Sequence, residues 1–327
     1  MMLSKFRGKL TESNVSEFDF VSLIENQDFS ESTIKSYRAG VLLFLDWVKA
    51  NRLNFLELTV YDFIAYKRWI SGEFKANSTR NSYLTGVMAF YKLLERHGVT
   101  NICQGVRKFD RNVGFTKDGI TREQWQKMLS LVDRRKFNGK KHYLLMYMLY
   151  TSGVRQMSLR ELKWGDFTFS SKVNSLVMNV RLKGKGNRTD SVMLNEEAVF
   201  LLEQYKFSYA KLYCMSEMGE VMEIPEDYYV FGNKRKMLSD KGIRKITETY
   251  LKKAGFYKKG VVTGHSLRHG IAEYLIEQGL ELKSVQQFLC HRDIKSTMVY
   301  AGKKEKEKVD KVLISKVNEI NLGDFYG

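Results

Sequence analysis

Apolar residues recur at helical spacing through most of the first hundred positions. In STIKSYRAGVLLFLDWVKANR, from about Ser32, Ile34, Tyr37, Val41, Phe44 and Val48 fall on one face, with Lys35 and Arg38 elsewhere, and the pattern predicts an amphipathic helix. Thr59 is placed to cap a second helix, VYDFIAYKRWI. Asn77 or Ser78 opens a third, with Tyr83, Val87, Phe90 and Leu94 as its stripe and Gly98 as its stop. No strand-like alternation interrupts the run. Residues 1–110 therefore read as a small helical domain behind a loose polar lead-in over 1–20. The charged, weakly periodic stretch VRKFDRNVGFTKDG leads out of it, and 111–119 is assigned as an exposed linker.

Beyond 120 the pattern changes character. Thr121 caps an amphipathic helix, and KHYLLMYMLYTSG is nearly all apolar, which predicts a buried core helix ended by Gly153. Gln156 to Leu162 reads as a further helix. Asp166–Phe169, Ser175–Val180 and TDSVMLN read as short strands, with LKGKGNR as a hairpin between the last two, and YYVFG as another short strand. Residues 196–213 return to helix. So do parts of 234–259, then a helix from His265 to a Gly279 cap, and a shorter one from Leu282 to Leu289. A charged stretch after Gly302 leads to a short amphipathic segment in which Val312, Leu313, Ile314 and Val317 form an apolar face. The expectation is a two-domain, mainly α protein. Its mixed α/β domain over 120–308 carries a small antiparallel sheet, and 309–327 forms a tail for packing or exchange between protomers.

Composition narrows the partner. The 327 residues hold 54 Lys+Arg against 37 Asp+Glu, a formal charge of +17, which favours a polyanion: nucleic acid or an anionic membrane. With 43% hydrophobic residues the chain can build cores, yet no run approaches the roughly 18 apolar residues of a membrane span. No secretory signal pattern begins it. Cys103, Cys214 and Cys290 are too scattered for a disulfide framework or a zinc site, which points to a reducing, cytoplasmic setting. Lys35, Arg38, Lys67, Arg68 and Arg80 recur near helix starts in the first domain, and Lys234, Arg235, Lys241 and Arg244 lie in a stretch with ten Lys/Arg and two acids. Both sets are candidate phosphate contacts, with a solvated basic face as the plainer reading.

The chemistry-bearing residues lie in the second domain. Arg155 follows the buried helix, Lys185 sits on the Gly-Lys hairpin, His265 and Arg268 open a helix at a spacing that shares a face, and His291 precedes Tyr300 by nine residues. Two guanidinium forks suit the non-bridging oxygens of one phosphodiester and oppose the charge of a pentavalent transition state. A lysine can protonate a leaving oxygen, a phenol can form a phosphotyrosyl ester, and imidazoles can move protons or bond the phosphate. Nothing in this set requires a metal or other cofactor. His97, His142 and His269 read as structural or supporting.

These segments carry a family resemblance. TSGVRQMSLRELKWGD resembles the first-arginine box of the tyrosine recombinases of the phage-integrase superfamily. GKGNR resembles their lysine hairpin, GHSLRHGIAEYL their His-x-x-Arg box, and FLCHRDIKSTMVYAG their closing His…Tyr box. The 30–100 stretch resembles, more weakly, their helical SAM-like core-binding domain. The resemblance implies that Arg155 and Arg268 clamp the scissile phosphate. Lys185, rather than its neighbour Lys183, protonates the 5′ oxygen; His265 assists proton transfer; His291 bonds the phosphate; and Tyr300 attacks to hold the 3′ phosphate. It also implies a homo-tetramer on double-stranded DNA bearing specific sites, accessory DNA-bending proteins as further candidate partners, a nucleoid location, and no membrane. No extra arm-binding domain is expected before residue 20.

Two positions depart from the family pattern: Ser158 stands where an acid usually follows the first arginine, with Glu161 not expected to replace it, and Cys290 stands where a glycine usually precedes the last histidine. Three other readings remain open. A type IB topoisomerase uses similar groups. A non-catalytic DNA-binding protein would account for charge and helices alone. A metal-dependent nuclease would have to draw on His265, His269 and His291.

Overall fold

The structure is a computed structural model that describes residues 19–110, 118–171, 175–182 and 188–291, together with Ile294, Thr297, Met298 and Tyr300. Two compact units divide the chain, Met1–Gly114 and Phe115–Gly327. Lys183, Lys185 and the 309–327 segment lie outside the described residues.

The first unit is helical: α1 (Phe20–Glu25), α2 (Glu31–Ala50), α3 (Val60–Glu73) and α4 (Asn77–Leu94). The short α1 begins where the lead-in ends, ahead of the helical pattern read from about Ser32. Asp19 starts it, its carboxylate accepting from the N–H groups of Val21 and Ser22. Thr59 and Asp62 form the capping box that opens α3, and Gly98, at φ +78, closes the turn after α4. The core holds Val41, Phe44, Val48, Phe63, Tyr66, Ile70, Leu84, Val87, Phe90 and Leu94, so much of the apolar stripe read from the sequence is the buried one. What the stripe does not reveal is how closely α2 and α4 approach. A Cβ on Gly40 would stand 2.7 Å from the Tyr83 carbonyl, and one on Gly86 2.8 Å from that of Tyr37. The two glycines let the backbones meet at one crossing.

In the second unit, a Thr121–Gln124 capping box opens α5 (Arg122–Ser130), which packs on α6 (Phe137–Thr151). Residues 144–150 of α6 are all buried, as an apolar-all-round helix must be. It lies between α8 (Glu196–Tyr213) and α10 (His265–Glu277), which makes it the centre of the unit. After α7 (Gln156–Arg160), strands β1 (Phe167–Ser170), β2 (Ser175–Leu182) and β3 (Arg188–Met193) form an antiparallel sheet in chain order. The chain continues through α9 (Asp240–Lys253) to α10 and α11 (Leu282–Phe288).

The YYVFG segment does not form the strand its composition predicts. Tyr229 makes one isolated bridge with Lys163, flanked by bonds from Trp164 N–H to the Tyr228 carbonyl and from Val230 N–H to that of Leu162. The neighbour is a short loop stretch rather than a strand, and the chain turns back at once, Tyr229 N–H donating to the Lys234 carbonyl at 2.8 Å. A β-favouring sequence without an extended partner stays a single bridge.

Candidate active site

The site is assembled on the ends of α6, α7, α10 and α11. The buried helix α6 stops at Gly153, whose φ of +61 turns the chain sharply. Two residues later Arg155 takes the N-cap position of α7 with its side chain exposed. Arg268, in the first turn of α10, points inward and is only 6% exposed. Its Nη1 donates to the Gly153 carbonyl, and its Nη2 to the Leu289 carbonyl at 2.7 Å, tying α6, α10 and the end of α11 together. Burial, then the nearby Arg155 charge, pulls this guanidinium down to about 10. It still carries its charge at neutral pH.

Tyr300 is 3% exposed and packs with Ala272, Val285 and Leu289. Burial raises its pKa, with Glu273 adding to the rise, while Arg268 and Arg155 oppose it. The phenol is therefore a protonated hydroxyl held beside two cations. The His291 ring lies parallel to it, centroids 6.5 Å apart, and His291 Nδ1 is 2.7 Å from Thr297 Oγ1. Burial, followed by Arg268, Arg155 and His269, holds His291 down to about 3, so this imidazole is neutral at ordinary pH. Neutral, it can donate one hydrogen bond to an anion without adding charge.

His265 and Arg268 do not share an environment, although their spacing places them on one side of a helix. His265 is the first residue of α10 and is exposed, while Arg268, one turn in, is enclosed by α6 and α11. His269, which reads in sequence as a supporting residue, instead touches the tyrosine: its Nδ1 lies 2.6 Å from Tyr300 Oη. Thirty-one residues separate the two, and no periodicity links them. Its position directly after Arg268 is the sole sequence hint. Among the described residues no group of three His, Cys, Asp or Glu side chains could hold a metal ion.

Residues 119–307 match the phage integrase family, and residues 19–98 match the N-terminal SAM-like domain of phage integrases. The chain belongs to the phage integrase family. Among curated relatives, the tyrosine recombinase XerD of Listeria innocua is 24% identical over 85% of this chain and 90% of its own length. The tyrosine recombinase XerC of Chlamydia caviae is 28% identical over 55% of this chain and 53% of its own. Of solved structures, XerH recombinase bound to difH DNA in a post-cleavage complex aligns at TM-score 0.68, 16% identity, over 96% of this chain and 92% of that one. A lambda integrase (75–356) dimer on a core site aligns at 0.62, 15% identity, over 89% and 94%.

Both departures from the phage-integrase pattern fall within the described residues. Ser158 is buried on α7 (6% exposed), and Glu161 lies 3.7 Å from Arg160, which is also paired with Asp240. Glu161, six residues beyond Arg155, is engaged by Arg160. Cys290 has φ +51, the left-handed region that glycine enters without penalty and other residues at roughly 1–2 kcal/mol. A glycine there would satisfy the turn that presents His291, and the cysteine holds the same turn under strain.

The structure separates the candidate DNA contacts. Lys35 and Arg68 are exposed on α2 and α3. Arg38 is exposed and pairs with Glu25 at 3.3 Å. Arg80 is employed otherwise: its three nitrogens donate to Phe74 O, Asn77 Oδ1 and Ser71 O, closing the end of α3. Lys67 donates to the Arg107 carbonyl at 2.8 Å and lies over the Phe109 ring. Both residues, expected at phosphates, hydrogen-bond carbonyls of their own unit. Arg235 pairs with Asp227, and Lys234 is exposed in the same turn. Lys241 and Arg244 share one face of α9 with Lys245 and Lys252, which the sequence pattern did not single out.

Proposed function

We propose that this phage-integrase member is a site-specific DNA recombinase that cuts and rejoins double-stranded DNA through a 3′-phosphotyrosyl bond at Tyr300. The observation that carries the reading is the buried Tyr300 hydroxyl held within reach of the charges of Arg268 and Arg155. In this reading the two arginines hold the non-bridging oxygens of the scissile phosphate, Tyr300 Oη attacks phosphorus in line, and the 5′ oxygen departs. Neutral His291 donates to the phosphate, exposed His265 serves proton transfer at the rim, and Lys185 protonates the leaving oxygen. The ester conserves the bond energy, so the mechanism calls for no nucleotide cofactor.

The wider assembly belongs to the same proposal. The helical unit and the catalytic unit grip the duplex through Lys35, Arg38, Arg68, Lys234, Arg235, Lys241 and Arg244. Four protomers hold two specific sites, with residues 309–327 docking between protomers and DNA-bending proteins assisting. The work takes place in the cytoplasm, on the nucleoid. The relatives' names (tyrosine recombinases XerC and XerD) support this reading over a topoisomerase.

The test is recovery and mapping of DNA covalently attached to the protein. Tyr300→Phe should bind the mapped site with unchanged affinity yet trap no adduct on a nicked duplex. An adduct in that variant would remove Tyr300 from the chemistry, and supercoil relaxation without exchange between two site-bearing plasmids would favour the topoisomerase reading.

A further inference from the structure

The nucleophile needs somewhere to put its proton. Tyr300 is buried, and burial raises its pKa, so the phenol does not ionise by itself at neutral pH. Of the groups around it, Arg155 and Arg268 are permanent cations and cannot accept. His291 lies parallel to the tyrosine ring, but its Nδ1 is directed to Thr297 Oγ1. Lys185 serves the leaving oxygen, and His265 is exposed at the first position of α10, whereas Tyr300 is buried. His269 has a ring nitrogen on the phenolic oxygen, Nδ1 to Oη at 2.6 Å, with the rings inclined at 53°.

We propose that His269 is a catalytic residue of this enzyme, the general base that takes the Tyr300 proton as the phenol attacks phosphorus. The inference rests on Tyr300 being the nucleophile. With the imidazole proton on Nε2, the Nδ1 lone pair accepts from the Tyr300 O–H. As the Oη–P bond forms and the P–O5′ bond breaks, the phenolic proton moves to Nδ1. The 5′ oxygen takes its own proton from the group on the far side. Rejoining runs the same path backwards: imidazolium Nδ1–H returns its proton to Tyr300 Oη as the 5′-hydroxyl displaces it. Both half-reactions balance without metal or redox partner.

The surroundings fit a base that works by concerted transfer. Glu273, one turn along α10 from His269, acts on the Tyr300 phenol with a negative charge, while Arg268 and Arg155 supply positive charge from the phosphate side. Full deprotonation in the resting site would be uphill. Transfer in the transition state, as the phosphate clamp absorbs the developing charge, is the regime in which an imidazole contributes about 10²–10⁴-fold.

The experiment is single-turnover cleavage of a nicked duplex carrying the mapped site, run against pH for the wild type and for His269→Asn, whose amide can keep a hydrogen bond to Oη but cannot take up a proton. The expected result is a cleavage rate lower by about 10²-fold or more, loss of the acidic limb of the rate profile, and unchanged affinity for the same duplex. The defect should persist when the scissile 5′ oxygen is replaced by bridging sulfur, because a thiolate leaves without a proton and such a substrate rescues only leaving-group defects. Wild-type rates in His269→Asn, an unchanged acidic limb, or rescue by sulfur would each overturn the assignment. Should His269→Asn melt early, His269→Gln repeats the test. Tyr300→Phe in parallel separates the two claims, since an adduct there defeats the nucleophile rather than the base.

Discussion

Histidine burial contributes to how this molecule responds to acid. His142, bonded to the Tyr250 hydroxyl at 3.3 Å, is held down to about 4 by burial and then by Lys141 and Lys253, and His291 is held down to about 3. In the unfolded chain both return to about 6.5, so the unfolded state takes up protons first as pH falls. The stability these neutral imidazoles contribute is complete above about pH 6.5 and is lost as pH falls toward the folded values. Partial solvent access screens the effect to about 1 kcal/mol per histidine by pH 5. His142→Gln should therefore flatten the decline of Tm between pH 7 and 5 by a few degrees, read by thermal melts in matched buffers. A parallel decline in wild type and variant would mean that His142 is protonated in the fold.

Short connections between elements hold the site, and Gly153 is one of them. Its left-handed turn aims its own carbonyl at Arg268, and a Cβ there would stand 2.8 Å from Leu289 Cδ2 and 2.9 Å from Phe288 Cε1. Gly153→Ala meets strained backbone and the packed end of α11 together, and overpacking alone costs about 1–3 kcal/mol. The expected outcome is a lower Tm and a cleavage rate reduced by at least tenfold, because Arg268 and the turn before His291 move together. A variant with full cleavage activity would show that the clamp tolerates displacement at this point. The same logic explains why the helix caps were legible and the YYVFG strand was not. Capping by Thr59 and Thr121 depends on the next three residues, whereas a strand needs a partner that the sequence does not name.

At the scale of the whole molecule, a charge of +17 makes polyanion binding the expected mode. Each phosphate neutralised on duplex DNA contributes about 0.9 to the slope of log K against log salt concentration. Lys241→Ala with Arg244→Ala should weaken binding and reduce that slope by about 2, measured by fluorescence anisotropy on a duplex across a salt series. Arg80→Ala should leave the slope unchanged and lower the melting temperature, because its bonds close the end of α3. An unchanged slope in the α9 double variant would place the duplex on another face.

The amino-acid order by itself determined the helical stripes, their caps, the antiparallel strands around the Gly-Lys hairpin, and the Arg155, His265–Arg268 and His291–Tyr300 boxes with their family. Each of those signals is local, carried by residues within a few turns of one another. Tertiary structure alone decided that Arg268 is enclosed while His265 is exposed, that Arg80 and Lys67 are held by carbonyls of their own unit, and that His269 meets Tyr300 across thirty-one residues. Those outcomes depend on where helix ends converge, and the packing that brings them together is fixed only when the cores of the two units form.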